Sequence, residues 1–284
     1  MELLKAEEFP LKLQEFENFL KKKALSDRYI RNCCSTIKYY FVTTGKFDIE
    51  TINNFFISKK GVRNYNYIYA FKLFFVFLNK KELALELAKM KILPNKTSGN
   101  LYPKDLLKKV ISNINEPIYR LIALIQYESG IRSFEVVQIK KSDLKYDEDG
   151  DLFIYIPEPK GGRKAKRAYL SRRTETVLKI VNEKFKKDYL FISPGNNKDF
   201  TTAVDTMNRY YRKALQKAVK STFGATQLRS HDFRRNFAAD IYKKTGDIMQ
   251  VQRTLDHSSI TTTMKYIEGI RTDKKKLTRS IRED

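Results

Sequence analysis

Residues 229–266 read RSHDFRRNFAADIYKKTGDIMQVQRTLDHSSITTTMKY and hold both histidines of the chain, His231 and His257. Periodicity and turn residues predict helices over about 232–245 and 247–255. Ser259 is a good N-cap for a third, starting at Ile260 and carrying Tyr266 near its end. His231 and Arg234 stand three apart, so one helical face presents an imidazole beside a guanidinium. Arg235 lies about 100° further round the helix. Singly, each of these residues reads as ordinary surface or core; the order in which they occur is the informative feature.

Working upstream, Ser129-Gly-Ile-Arg132 ends one predicted helix (117–129) and precedes another that begins at Ser133. Backbone donors and a guanidinium at such a helix start suit an anionic oxygen. Glu135, one turn later, is placed to hold Arg132 or a neighbouring histidine. Leu152-Phe-Ile-Tyr-Ile156 and Lys166-Arg-Ala-Tyr-Leu170 flank Pro157-Glu-Pro-Lys-Gly-Gly162 and predict a β-hairpin. Helices are expected near 103–114, 173–187 and 202–222, with a short strand over Tyr189–Ser193.

Residues 1–95 read as all-helical. Leu13, Phe16, Phe19 and Leu20 form a first apolar stripe. Ser26 caps a second helix bearing Ile30, Cys34, Ile37 and Phe41, which Gly45 stops. Asp48 caps a third with Ile49, Ile52 and Phe56; a fourth spans about 62–79 and a short fifth about 82–91. Basic residues interleave these stripes, among them Arg28, Arg31, Lys38 and Arg63. Residues 96–100, inside the turn-rich Pro94-Asn-Lys-Thr-Ser-Gly-Asn100, are read as a linker, leaving 101–284 as a second domain.

Lys and Arg total 56 against 33 acidic residues, a net charge of +23 spread along the chain. A polyanionic partner offsets that self-repulsion, so nucleic acid is the expected partner class. No apolar run is long enough to predict a membrane span, and the N-terminus lacks a signal-peptide pattern. Cys33 and Cys34 are adjacent and fit no zinc motif, as expected of a reducing, cytoplasmic protein without structural metal. On such a protein, two arginines, two histidines and a tyrosine suggest chemistry on a DNA phosphodiester. Arg235 is expected to meet DNA backbone or solvent.

Taken in order, SGIRSFEVVQIKKSDL, a lysine at the hairpin turn, HDFRR and LDHSSITTTMKY resemble the tyrosine recombinases, the phage-type integrases and Xer-like site-specific recombinases. The first half, including ALSDRYIRN (24–32), is similar to their helical core-binding domain. The resemblance implies a mainly α protein: a helical DNA-clamping domain, then an α+β catalytic domain with a small antiparallel sheet. It implies Arg132, Lys160, His231, Arg234, His257 and Tyr266 as the catalytic set, with Lys164 and Lys166 as rivals of Lys160. Arg163 and Lys164 join the residues expected to touch DNA. Two positions depart from the usual pattern, since Gly is common where Asp256 stands and His where Arg235 stands.

The implied activity is site-specific recombination, integration or excision or dimer resolution, through a 3′-phosphotyrosyl link, with no cofactor. Double-stranded DNA with paired sites is the implied partner. The resemblance further implies a homotetramer on that DNA, from a protein that is a monomer or dimer when free. The alternatives are DNA relaxation of the type IB topoisomerase kind and sequence-specific DNA binding without catalysis.

Overall fold

The computed structural model describes residues 2–58, 65–89, 100–157, 165–184, 188–192, 200–224, 228–257 and 259–267. The chain divides into two compact units, Met1–Thr97 and Ser98–Asp284. The first begins with β1 (Glu2–Leu4), then α1 (Phe9–Lys22), α2 (Asp27–Thr44), β2 (Phe47–Asp48), α3 (Ile49–Ser58), α4 (Tyr65–Phe77) and α5 (Lys81–Lys89). Its core is phenylalanine-rich. Phe16, Phe47, Phe71 and Phe74 are fully enclosed, and Tyr40 meets Phe47, Phe55 and Phe71 edge-on with centroids 5.0–5.1 Å apart. Each such ring contributes about 1.5–3 kcal/mol by leaving water.

Local chemistry sets the helix ends. The Ser26 hydroxyl accepts from the Tyr29 N–H to start α2, and Gly45, at φ +67°, ends it. The Asp48 carboxylate accepts from the Thr51 N–H at 2.8 Å and starts α3. Three details differ from the sequence reading. β1 pairs antiparallel with β2, so the unit is not purely helical; two or three residues are too few to show a strand's alternation. On α2, Cys33 and Tyr40 are buried more deeply than Cys34 and Phe41. Ile49, at the first position of α3, is 41% exposed because Ile52, Phe55 and Phe56 take the inner face.

The second unit contains α6 (Lys104–Ser112), α7 (Pro117–Ser129), α8 (Ser133–Val137), β3 (Leu144–Tyr146), β4 (Leu152–Ile156), β5 (Lys166–Tyr169), α9 (Arg172–Lys184), α10 (Phe200–Phe223), α11 (Ser230–Thr245), α12 (Ile248–Leu255) and α13 (Ile260–Ile267). The sheet is antiparallel in the order β3-β4-β5, with Ile156 opposite Lys166 at the turn end of the hairpin. β3 was not foreseen, being short and largely exposed. The strand expected over Tyr189–Ser193 is reduced to an isolated bridge between Lys140 and Tyr189. Leu190, Phe191 and Ile192 are buried there without a ladder, and Ser193 lies outside the described residues. Among the described residues no helix is long and apolar enough to cross a membrane.

The centre of this unit is α7 packed directly on α11. Leu121, Ile122, Ala123, Ile125 and Gln126 are all buried, so α7 is enclosed on most sides. Gly130 ends it at φ +65°, and a Cβ there would collide with the Phe237 ring of α11. Gly246 ends α11 at a similar φ of +67°, with open space around it. Gly130→Ala is therefore expected to destabilise the protein by about 1–3 kcal/mol more than Gly246→Ala, through overpacking. Urea denaturation of the two variants measures the difference; equal losses would show that Phe237 yields freely.

Candidate active site

Arg132 is the N-cap of α8, with extended backbone (φ −74°, ψ 147°). Glu135, at the third helical position, bonds it twice. One carboxylate oxygen accepts from the Arg132 backbone N–H and the other from Nη1, both at 2.8 Å. The Arg132 side chain stays 24% exposed while that of Glu135 is 3% exposed. Burial alone would raise the Glu135 carboxyl. Lys166, the Arg132 N–H and the Arg132 guanidinium outweigh it and hold the carboxyl below its usual range.

Lys166 Nζ lies 3.1 Å from Glu135 Oε2. Burial pulls its ammonium below the usual lysine range, Glu135 opposes that, and Arg234 and Arg132 add to it. Of the three hairpin lysines considered, Lys166 is thus placed in the site but committed to a carboxylate. Lys160 and Lys164 lie outside the described residues, as do Arg163 and Arg63.

Arg234, on α11, is 1% exposed. Its Nη1 donates to the Gly130 carbonyl at 2.7 Å and its Nη2 to the Leu255 carbonyl. Burial, then repulsion from Arg132, brings its pKa down to about 10, with Tyr266 and Glu135 pulling the other way. It remains a cation at neutral pH.

His231, one turn before Arg234, is hydrogen-bonded through Nε2 to the Tyr266 hydroxyl. Its ring is exposed on one side, yet packing on the other removes water from it. That loss of solvent, then Arg234, Arg235 and Arg132, push the imidazole down to about 4.

His257 follows Asp256, the αL residue (φ 53°, ψ 52°) that ends α12. Its Nδ1 is 3.0 Å from the Thr263 hydroxyl. Its carbonyl accepts from Gln252 Nε2 at 3.0 Å. The ring sits 4.8 Å from that of Tyr266, centroid to centroid. Tyr266 itself is 8% exposed and packs with Ala238, Val251 and Leu255. Arg235 departs from expectation. It does not face solvent but is 9% exposed, with its guanidinium 5.5 Å from the centre of the Tyr266 ring. The close packing of α13 on α11 covers the side of α11 that a free helix would leave open.

Arg132, Glu135, Lys166, His231, Arg234, His257 and Tyr266 therefore converge in the second unit. The pattern that defines the phage integrase family matches residues 103–270. The chain belongs to that family, whose members are tyrosine-type DNA strand transferases.

Other phage integrase family members align along much of the chain. A probable integrase/recombinase of Acholeplasma phage L2 is 26% identical over 184 residues, 62% of this chain and 60% of that protein. The tyrosine recombinase XerA of Thermococcus kodakarensis is 24% identical over 274 residues, 89% of each chain. A lambda integrase dimer bound to a COC′ core site shares the fold, with a TM-score of 0.64 and 18% identity over 92% of this chain and 96% of that one.

Sequence reasoning missed Thr263 and Gln252, which hold His257. Thr261, Thr262 and Thr263 look alike in one dimension; Thr262 and Thr263 both stand at helical spacing from Tyr266, and only the fold shows that Thr263 is the buried one. The Glu135–Lys166 pair also went unseen, because it joins α8 to a strand. Removing one partner of a buried ion pair strands the other, at a cost of about 3–5 kcal/mol. Glu135→Gln is expected to lose stability on that scale, and adding Lys166→Met to recover much of it. A double-mutant cycle by chemical denaturation checks this; additive losses would mean the pair is not coupled.

Proposed function

We propose that this integrase-family protein is a site-specific DNA recombinase that cuts and rejoins strands through a 3′-phosphotyrosyl intermediate, with Tyr266 as nucleophile. The observation that carries this reading is the hydrogen bond from the Tyr266 hydroxyl to His231, beside His257 and the buried Arg234. A phenol is a weak nucleophile at neutral pH and needs a base or a positive field. His231 offers the base. Above about pH 4 its ring is neutral, so Nε2, with the proton on Nδ1, can accept from the phenol.

In the proposed step the Tyr266 Oη–P bond forms and the P–O5′ bond breaks. The phenolic proton passes to His231. Arg132, Arg234 and His257 stabilise charge on the non-bridging oxygens, each donor being worth about 2.7–4 kcal/mol. A hairpin lysine, Lys160 by resemblance, protonates the departing 5′-oxygen. Lys166 suits that role less well, because its ammonium is already paired with Glu135. The bond energy is kept in the phosphotyrosyl ester, so resealing requires no cofactor. The nucleophile and its partners sit in one chain, which supports attack within the subunit that supplies the arginines.

Residues 1–95 act in this reading as the core-binding domain, residues 96–100 as its linker and residues 101–284 as the catalytic domain. Arg31 and Lys38 are exposed on α2, with Arg28 half-buried on the same helix; all three are assigned to phosphate contacts. Recombination needs four cleavable strands, hence a homotetramer around two duplexes, assembled from monomers or dimers. The names of the relatives, integrase/recombinase and XerA, support recombination over simple DNA relaxation.

A nicked suicide substrate tests the roles. Tyr266→Phe should bind the DNA and yield no covalent complex. Arg132→Ala should slow covalent capture at saturating protein by about 10²–10³-fold. Capture by the Tyr266→Phe protein would overturn the nucleophile assignment. A loss of affinity alone in Arg132→Ala would make that residue a positioning contact.

A further inference from the structure

Arg235 is an anomaly of burial. It is 9% exposed, and its Nε and Nη1 are enclosed with no hydrogen-bond partner among the described residues. The nearest carboxylate oxygen, Asp232 Oδ1, is 3.9 Å from Nη1, an ion pair too long to be a hydrogen bond. An uncompensated buried guanidinium is costly, and an apolar side chain could fill the same space beneath a tyrosine ring without that cost. What an apolar residue could not supply is a positive charge 5.5 Å from the centre of the Tyr266 ring, one turn along α11 from His231.

We infer that Arg235 is a positioning residue for the nucleophile: its guanidinium holds the Tyr266 ring from its face and supplies a fixed positive charge that stabilises the phenolate as it forms. The inference rests on the proposed nucleophilic role of Tyr266 and gives that role a source of activation. As Oη loses its proton the ring gains electron density, and attraction to a cation near its face increases. The interaction is therefore stronger in the transition state than in the resting enzyme, which is the condition for accelerating the step.

The same charge acts on His231. The groups facing that ring are Arg234 and Arg235 from α11, Arg132 from the start of α8 and Tyr266 from α13; the three arginines all disfavour its protonation. Arg235 thus leaves the imidazole unprotonated at rest but also makes it a weaker base, so its gain to the reaction lies on the phenolate side. Removing the Arg235 charge eases protonation, so the His231 pKa rises.

The test uses Arg235→Gln, Arg235→Met as a volume-matched apolar replacement, and Arg235→Lys, which keeps the charge. With only two histidines in the chain, imidazole NMR titration of the free protein follows His231 directly, and a His257→Gln variant assigns the signals. The His231 titration should move to higher pH in the Gln and Met variants and stay near the parent value in the Lys variant. In parallel, capture on the nicked substrate at saturating protein should slow by about ten-fold in Gln and Met, with unchanged DNA affinity and substantial rescue by Lys. An unmoved His231 titration in whichever of the Gln and Met variants folds would overturn the inference. So would a variant that loses DNA affinity but keeps its saturated rate, since Arg235 would then be a DNA contact. Failure of the parent protein to form any covalent complex would instead count against the proposed function, and the titration reads the Arg235 charge independently of it.

Discussion

One buried guanidinium joins the elements on which the site depends. Arg234 donates to the carbonyl of Gly130, two residues before Arg132, and to the carbonyl of Leu255, two residues before His257. It stands one helical turn from His231 on α11. Three separate segments are thus fixed relative to one cation. These two carbonyls meet Nη1 and Nη2, while Nε is buried with no partner among the described residues, so the two bonds carry the compensation for the buried charge. The left-handed residues at both carbonyl ends, Gly130 and Asp256, turn the chain sharply enough for the next residues to enter the site.

The site residues cluster at helix ends. Arg132 precedes α8, His231 opens α11, His257 follows α12 and Tyr266 sits in the last turn of α13. Such positions place each side chain at the end of a rigid helix. They also concentrate positive charge: Arg132 and Lys166 share the Glu135 carboxylate, Arg235 has Asp232 at 3.9 Å, and Arg234 meets backbone carbonyls. Burial, and after it repulsion among the cations, lowers the pKa values of Arg234, Lys166 and His231, and both are costs to the charged forms. A phosphodiester is the kind of ligand that relieves the repulsion.

The sequence carried the helices well where capping chemistry was explicit, as at Ser26, Gly45, Asp48 and Ser259. It carried the meeting of Arg132, His231, Arg234, His257 and Tyr266 only through their order, since spacing along a chain says nothing about which helix ends coincide in space. Asp256 was noticed as unusual where glycine is common; the reason is its left-handed backbone, which aspartate tolerates. The burial of Arg235 was not legible because helical phase gives a direction but not what lies there. α13 folds back over that face of α11. The Lys166–Glu135 pair and the Thr263–His257 bond were invisible for the same reason, being contacts between elements rather than patterns within one.

The most direct measurement is mass spectrometry of proteolysed covalent complex trapped on a nicked substrate. The account predicts a nucleotide adduct on the peptide containing Tyr266, linked through a 3′-phosphate. An adduct on any other of the 17 tyrosines, or cleavage that leaves no protein-linked 3′ end, would contradict it.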